Sequence, residues 1–283
     1  MTEKHLNSNL KVLLVMPDLN QKNYGMNYGL MHISSFLKQK GYNGQCLNMN
    51  HYDATRLIEC LKKNSFDVVG TGGLFLHYHI IKSLIETIRE HSQKSKIILG
   101  GGIASTEFEF ILNNLKPDFL VVGEGEKTAD LLLKAFENDK DYHKVTGISF
   151  KENNKIIKTE PTPLIEDLNE LPFPDYEGFE YSYYFDNFFK AEGNLENVLG
   201  ANYRMGHVMS SRDCTNRCTF CFRIIGDSVK KKAYRVRTIE SVLDEIRFLM
   251  QNYGINAVGF LDEMISFNKQ RIIDLCKLIR PLN

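Results

Sequence analysis

The chain has 283 residues, of which 43% are hydrophobic and 25% charged, a composition typical of folded globular proteins. Its 35 basic and 35 acidic residues cancel, which argues against a nucleic-acid binder, because such proteins gain affinity by neutralising phosphates. The longest apolar run, residues 12–16, is far shorter than the ~20 residues that cross a bilayer, and residues 1–9 are too polar for a secretory signal. We therefore expect a cytoplasmic protein with no membrane span and roughly two domains.

The first half of the sequence alternates short apolar runs with helical patterns, which is typical of a parallel α/β sheet. Five strands are predicted, at residues 12–16, 45–48, 67–70, 96–100 and 118–122. Ile81, Leu84, Ile85 and Ile88 recur at helical spacing and predict an amphipathic helix between the third and fourth strands. The sequence thus predicts a five-stranded, doubly wound α/β domain over residues 1–143.

Residues 144–205 do not continue this alternation. Residues 145–151 and 155–158 predict a hairpin that closes the first domain. Four prolines and an aromatic stretch at 181–189 follow, and we interpret this segment as a linker that packs across two domains.

From residue 206 onward the pattern is strand, loop, helix, strand, helix, which is the order that begins a β/α barrel. The strands are predicted at 206–211 and 257–261, and Thr238 is the predicted N-cap of the helix between them. Eight units of about 30 residues make a barrel, and residues 206–283 hold about two and a half, so we expect a partial barrel.

Three of the six cysteines, Cys214, Cys218 and Cys221, lie within eight consecutive positions. Three thiolates on one loop can hold an iron–sulfur cluster and leave one iron open for catalysis. The alternatives are a zinc site, for which only His207 lies nearby as a further ligand, and thiols that bind nothing. The isolated cysteines Cys46, Cys60 and Cys276 are interpreted as small buried hydrophobic residues.

The Cys-x3-Cys-x2-Cys spacing, with Phe220 before the last cysteine, resembles the radical S-adenosylmethionine (SAM) superfamily. The resemblance implies that Cys214, Cys218 and Cys221 hold a 4Fe-4S cluster, that SAM binds its fourth iron, and that one electron cleaves SAM to a 5′-deoxyadenosyl radical. It further implies that the backbone near Phe220 meets the adenine. Asp262 and Glu263 would contact the SAM amino group, and the alternative is that these carboxylates stabilise a helix N-terminus.

Glycines gather at the carboxyl ends of three predicted strands of the first domain, at residues 70–73, 100–102 and 123–125. Ligands of open α/β sheets bind beyond these ends, and glycine lets the backbone approach a ligand closely. The first loop lacks a dinucleotide-binding Gly-x-Gly-x-x-Gly pattern.

This arrangement resembles the Rossmann-like cobalamin-binding domain that precedes the barrel in many radical SAM enzymes, with matching stretches at 12–17, 67–70, 98–101 and 122–126. The resemblance implies a cobalamin site whose residues are Thr71, Gly72, Gly100, Gly101, Gly123 and Glu124. Many cobalamin domains ligate cobalt through the histidine of Asp-x-His-x-x-Gly. Residues 18–23 are Asp-Leu-Asn-Gln-Lys-Asn, which excludes that ligation.

The fold class expected from these resemblances is a doubly wound parallel sheet followed by the first units of a TIM-like radical SAM barrel. The implied function is a radical SAM enzyme, or its N-terminal portion, that uses a 4Fe-4S cluster, SAM and cobalamin. It would catalyse methyl transfer, cyclisation or rearrangement at an unactivated carbon of a small-molecule substrate, with an electron donor such as flavodoxin or ferredoxin. Two alternatives stay open: a radical SAM enzyme without bound cobalamin, and a truncated, non-catalytic binding module.

Overall fold

The structure is a computed structural model that describes residues 8–18, 26–49, 54–139, 141–188, 203–216, 218–221 and 234–282. These residues form two compact units. Unit 1 comprises the described residues up to Leu164 together with Pro174–Glu180, and unit 2 comprises Ile165–Phe173 and the described residues from Tyr181 onward. Within the described ranges, no helix is long and apolar enough to cross a membrane.

Unit 1 is built on a seven-stranded sheet. In chain order its strands are β1 (Val12–Met16), β2 (Gly44–Asn48), β3 (Val68–Gly72), β4 (Lys96–Gly100), β5 (Phe119–Val121), β6 (Ile148–Glu152) and β7 (Lys155–Lys158). They lie in the order β2-β1-β3-β4-β5-β6-β7, with β1 to β5 parallel and β6 and β7 antiparallel. The predicted parallel α/β fold is confirmed, because strands covered on both faces show in the sequence as unbroken apolar runs.

The predicted hairpin extends this sheet, which therefore has seven strands rather than five. Phe150 of β6 lies opposite Phe119 of β5, and their ring centroids are 5.5 Å apart. Because the hairpin is part of the sheet, unit 1 continues past residue 143, the domain boundary expected from the sequence, to Leu164.

Six helices of unit 1 lie within the described residues. They are α1 (Tyr28–Gln39), α2 (Ala54–Lys63), α3 (Tyr78–His91), α4 (Gly102–Thr106), α5 (Phe108–Asn114) and α6 (Gly125–Glu137). The four residues that predicted α3, namely Ile81, Leu84, Ile85 and Ile88, are all buried in the core with side chains of β1, β3 and β4. The amphipathic pattern thus identified the face that packs on the sheet.

Part of the predicted linker belongs to unit 1. Asn48 Nδ2 donates to the backbone oxygen of Phe179 at 3.0 Å, and Phe179 is fully buried. Asp175 accepts from Ser34 Oγ at 2.5 Å, and Lys38 Nζ lies 2.6 Å from the same carboxylate. Burial raises the pKa of Asp175, but its hydrogen bonds with Lys38 and Ser34 outweigh burial and hold the pKa below its ordinary value. The stretch 144–205 is therefore divided between the two units.

Unit 2 contains the elements expected at the start of a barrel. They are α7 (Tyr181–Phe188), β8 (Met205–Val208), β9 (Ser211–Arg212), β10 (Arg235–Val236), α8 (Ile239–Tyr253), β11 (Ala257–Phe260) and α9 (Lys269–Ile279). β8 and β11 are parallel neighbours, and β9 pairs with β10 in antiparallel fashion. The predicted strand 206–211 is thus divided between β8 and β9.

The predicted N-cap residue of α8 is confirmed. Thr238 caps α8, since its Oγ1 accepts a hydrogen bond from the Ser241 backbone N–H at 3.2 Å.

The isolated cysteines differ in their burial. Cys46 and Cys60 are half-buried, whereas Cys276 is exposed. The prediction that Cys276 is buried was wrong, because α9 buries only Leu275 among the described residues.

Candidate functional site

The carboxyl edge of the unit 1 sheet carries the cofactor residues predicted for the first domain. The strand order 2-1-3-4-5 reverses direction between β1 and β3, the position where α/β sheets of this order bind ligands. Thr71 lies at this point, but its side chain is buried. Its hydroxyl donates to the Val15 backbone oxygen at 2.8 Å, so this side chain ties β3 to β1.

Gly72, Gly100 and Gly101 pack the loops after β3 and β4 against each other. Gly72 lies opposite Gly100 in the sheet register, and a Cβ on Gly72 would lie 2.9 Å from the Gly100 oxygen. Gly101 has a φ of 81°, and a Cβ there would lie 2.8 Å from the oxygen of Gly73. These contacts explain Gly72 and Gly101 by backbone packing alone, whereas a Cβ on Gly100 would make only an ordinary contact, 3.9 Å from Val121 Cβ.

Gly123 differs from these three glycines, since a Cβ placed on it would meet no described atom within 4 Å. Its φ is 84°, and its backbone N–H donates to Ser105 Oγ at 3.3 Å. Glu124 follows as the N-cap residue of α6. The end of β5 is therefore the part of this edge where a glycine faces open space.

The loop after β3 also contains a histidine and three apolar residues that are not among the predicted cofactor residues. His77 is buried and its Nδ1 accepts a hydrogen bond from the Leu74 backbone N–H at 3.3 Å; burial lowers its pKa. Leu74, Phe75 and Leu76 are exposed beside it. Most of the first loop, residues 19–25, lies outside the described residues.

In unit 2 the three clustered cysteines follow β9. None of them forms a disulfide; Cys214 is half-buried, and Cys218 and Cys221 are exposed. The Asn216 backbone N–H donates to Cys214 Sγ at 3.4 Å, and the Cys221 backbone N–H donates to the Cys218 oxygen at 3.1 Å. The part of the chain that the structure describes contains no group of three or more His, Cys, Asp or Glu side chains arranged to hold a metal ion. The fit to a cluster therefore rests on the donor set: three accessible thiols on one short loop, the ligand type of iron–sulfur clusters.

The other predicted SAM contacts lie around the same strand ends. Phe220 is 91% exposed between Cys218 and Cys221. Because β8 and β11 are parallel, the segments that follow them leave from the same edge of the sheet. Asp262 and Glu263, which follow β11, are thus placed on the same edge as the start of the cysteine segment.

Asp262 has a definite task in this structure. Its carboxylate accepts hydrogen bonds from the backbone N–H and the hydroxyl of Ser210, each at 2.7 Å, and from the Ser211 backbone N–H. Asp262 thus holds the strand end that leads into the cysteine loop. Glu263 is exposed after β11, and its contact with the SAM amino group stays a prediction.

The sequence analysis missed a buried ion pair in unit 2. Arg237 and Glu245 are 7% and 1% exposed, and the Arg237 guanidinium donates to the Glu245 carboxylate and, at 3.1 Å, to the Met209 oxygen. The signal was present: Glu245 stands on the apolar face of α8, where an acid requires a partner.

Residues 19–133 match the family model described as B12 binding domain. This part of the chain is thus similar to B12-binding domains. The matched range contains all of the predicted cobalamin residues of unit 1, including the glycine-rich ends of β3, β4 and β5.

Two relatives are similar to this chain over most of its length. A protein of Pyrococcus horikoshii named as an uncharacterised methyltransferase is 28% identical over 96% of this chain and 57% of its own length. An anaerobic magnesium-protoporphyrin IX monomethyl ester cyclase of Synechocystis is 28% identical over 89% of this chain and 48% of its own length. The chain thus spans about half the length of these relatives.

Two solved structures have a similar fold over nearly the whole chain. The cobalamin-dependent SAM radical enzyme OxsB, solved with aqua-cobalamin and SAM, has a TM-score of 0.71 at 22% identity and covers 95% of this chain and 36% of its own. The radical SAM methyltransferase TsrM from Kitasatospora setae, solved with cobalamin and a [4Fe-4S] cluster, has a TM-score of 0.70 at 18% identity and covers 96% and 51%. The resemblance and the fold class predicted from the sequence are confirmed.

Proposed function

We propose that this chain is the cofactor-binding part of a cobalamin-dependent radical SAM enzyme that acts on an unactivated carbon of a small molecule. The observation that carries the proposal is the combination of two features in one chain. The first is a B12-binding domain with a glycine-rich carboxyl edge. The second is a three-cysteine loop that leaves the carboxyl edge of two parallel strands in unit 2.

In unit 2, Cys214, Cys218 and Cys221 would hold a 4Fe-4S cluster through their thiolates. Such a cluster supplies, when bound, the electron that cleaves SAM reductively. The chain's own residues contribute binding and orientation: the Asn216 N–H donates to the Cys214 sulfur, and hydrogen bonds to cluster sulfurs tune the reduction potential. Exposed Phe220 is suited to contact an adenine, and Glu263 supplies a carboxylate for the SAM ammonium group.

In unit 1, the ends of β3, β4 and β5 would hold cobalamin. The backbone around Gly72, Gly100 and Gly101 is brought to the edge without side chains, and Gly123 faces open space. The Thr71 side chain is engaged within the sheet, so Thr71 would contribute backbone only. Bound cobalamin would carry a methyl group or act as a redox partner. We favour methyl transfer, because two of the similar proteins are named as methyltransferases.

The partners and compartment follow from this chemistry. Reductive cleavage of SAM requires a one-electron donor, for which a flavodoxin or ferredoxin is suited. Iron-binding thiols stay reduced in the cytoplasm, where we place the protein.

Anaerobic reconstitution tests the cluster assignment. We expect the full chain to bind iron and sulfide with a broad visible absorption, and the Cys218→Ala variant to lose it. A Cys276→Ala variant is the matched control, because that thiol is also exposed but isolated. Zinc alone at the three thiols, or equal absorption in both variants, would contradict the proposal.

A radical SAM enzyme without cobalamin is the second candidate. It is favoured by two observations: the cobalt-ligating histidine motif is missing, and Gly72 and Gly101 are explained by packing. Equilibrium dialysis of hydroxocobalamin against the full chain separates the candidates. Retention with a changed visible spectrum supports cobalamin binding, whereas passage through the membrane without retention supports the second candidate.

A further inference from the structure

The cysteine loop, residues 213–234, begins and ends at one place in unit 2. β9 (Ser211–Arg212) precedes it and β10 (Arg235–Val236) follows it. The two strands pair in antiparallel fashion, with Arg235 opposite Arg212 and Val236 opposite Ser211. The two ends of the cysteine loop are therefore adjacent, and all three clustered cysteines lie between them in the sequence.

Asp213 is the first residue of the cysteine loop and immediately precedes Cys214. Its φ is 70°, in the left-handed region that residues other than glycine adopt at a cost. Asp and Asn enter this region more readily than other side chains do. The backbone of Asp213 thus sets the direction in which the chain turns towards the first cysteine.

Arg235 closes the base from the other side. Its guanidinium pairs with the Asp213 carboxylate, and the two side chains are only 11% and 14% exposed. The same guanidinium donates to the Ile165 backbone oxygen at 2.6 Å. A planar guanidinium that binds two acceptors at once fixes an orientation, which a lysine ammonium does not do.

The strand end ahead of Asp213 is held as firmly. Asp262 accepts from Ser210 and Ser211, and Arg271 donates to the Ser210 oxygen at 3.3 Å. On the returning side, the Tyr234 hydroxyl donates to the Met264 oxygen at 3.1 Å. Long-range contacts therefore fix the main chain on both sides of the cysteines.

We propose that Asp213 and Arg235 form a clamp at the base of the cysteine loop, and that Arg235 is a positioning residue for the iron–sulfur cluster. This inference rests on the proposed function, because it requires that the three cysteines bind a cluster. The left-handed backbone at Asp213 aims Cys214, and Arg235 neutralises the buried carboxylate that keeps this conformation. Residues that support metal ligands in this way change metal affinity by about 10- to 100-fold when they are removed.

Four variants separate the two parts of the clamp. Asp213→Ala removes the carboxylate and leaves a residue that disfavours a positive φ. Asp213→Gly removes the carboxylate but adopts that φ freely. Arg235→Met leaves the Asp213 carboxylate buried without its arginine, and Asp213→Gly combined with Arg235→Met removes both charges. Arg247→Met is the control, since Arg247 pairs with Asp244 on the exposed side of α8.

The experiment is anaerobic reconstitution of the full chain at limiting iron, followed by iron and sulfide analysis. Electron paramagnetic resonance of the reduced cluster, with and without SAM, gives a second readout that folding alone would not change. We expect Asp213→Ala and Arg235→Met to bind iron about 10-fold or more weakly and to lose the spectral change on SAM addition. Arg247→Met should match the unmodified chain, and Asp213→Gly should bind iron more tightly than Asp213→Ala. The double variant should bind far better than Arg235→Met.

Circular dichroism and thermal unfolding report whether each variant folds. If Arg235→Met does not fold, the double variant still tests the proposal, because it buries no unpaired charge. Normal iron content and normal spectra in both Asp213→Ala and Arg235→Met would overturn the proposal. So would an Asp213→Gly variant as depleted as Asp213→Ala. If the folded, unmodified chain itself binds no cluster, both the proposed function and the clamp fail. If the unmodified chain binds a cluster and the variants bind it equally well, only the clamp fails.

Discussion

In unit 1 the loops after β3 and β4 lie against each other backbone to backbone, whereas in unit 2 the residues before the cysteine loop are held by charged side chains from other elements. Gly72 and Gly101 illustrate the first mode, and the pairs Asp213–Arg235 and Glu245–Arg237 the second. The proposed function accounts for this difference. Cobalamin would contact the exposed backbone of unit 1, whereas an iron–sulfur cluster would be held by three thiols on one loop of unit 2.

The largest expected effect comes from breaking the buried pair of unit 2. Glu245→Ala leaves the Arg237 guanidinium buried without its carboxylate, and we expect a loss of about 3–5 kcal/mol in the free energy of unfolding. Urea unfolding followed by circular dichroism measures it.

Two matched variants sharpen this result. Asp244→Ala removes the exposed partner of Arg247 on the same helix and should cost only about 0–1 kcal/mol. Replacing both members, Arg237→Met with Glu245→Leu, should restore most of the loss, since no unpaired charge is then buried. A Glu245→Ala variant as stable as Asp244→Ala would show that unit 2 does not depend on its buried charges.

The corresponding test in unit 1 adds a methyl group instead of removing a charge. Gly101→Ala places a Cβ 2.8 Å from the Gly73 oxygen at a φ of 81°, so strain and a clash act together. We expect a loss of about 2 kcal/mol in unfolding free energy.

Gly123 and Gly44 provide the comparison. Gly123→Ala has the same backbone strain but no clash, and should cost about 1 kcal/mol. Gly44→Ala has neither and should be neutral or slightly stabilising. If Gly123→Ala were as harmful as Gly101→Ala, the close approach of the two loops would not be what requires glycine.

The sequence predicted those parts of the molecule that depend on local pattern. The buried strands appeared as apolar runs, and α3 and α8 as amphipathic helices, because burial of each depends on its own spacing of side chains. It did not predict that β6 pairs with β5, because that register depends on residues about 30 positions apart, such as Phe119 and Phe150. The same holds for the site: the cysteine spacing is local, whereas the contacts of Asp213 with Arg235 and of Ser210 with Asp262 arise only in the folded chain.

The last effect that we predict concerns pH and the segment 174–180 of unit 1. The folded-state pKa of Asp175 lies below its ordinary value, so the unfolded chain takes up its proton first as pH falls. The contribution of Asp175 to stability is therefore fully present above about pH 4 and is lost as the pH falls through the lower, folded-state pKa. Asp175→Asn keeps the shape of the side chain but loses the ion pair with Lys38, and should cost about 1–2 kcal/mol at neutral pH. Its unfolding free energy should also fall less steeply than that of the unmodified chain between pH 4 and pH 2. Equal slopes in that range would mean that Lys38 and Ser34 do not stabilise the Asp175 carboxylate, and the attachment of this segment would then rest on its other contacts, such as the burial of Phe179 and the hydrogen bond that Asn48 donates to its backbone oxygen.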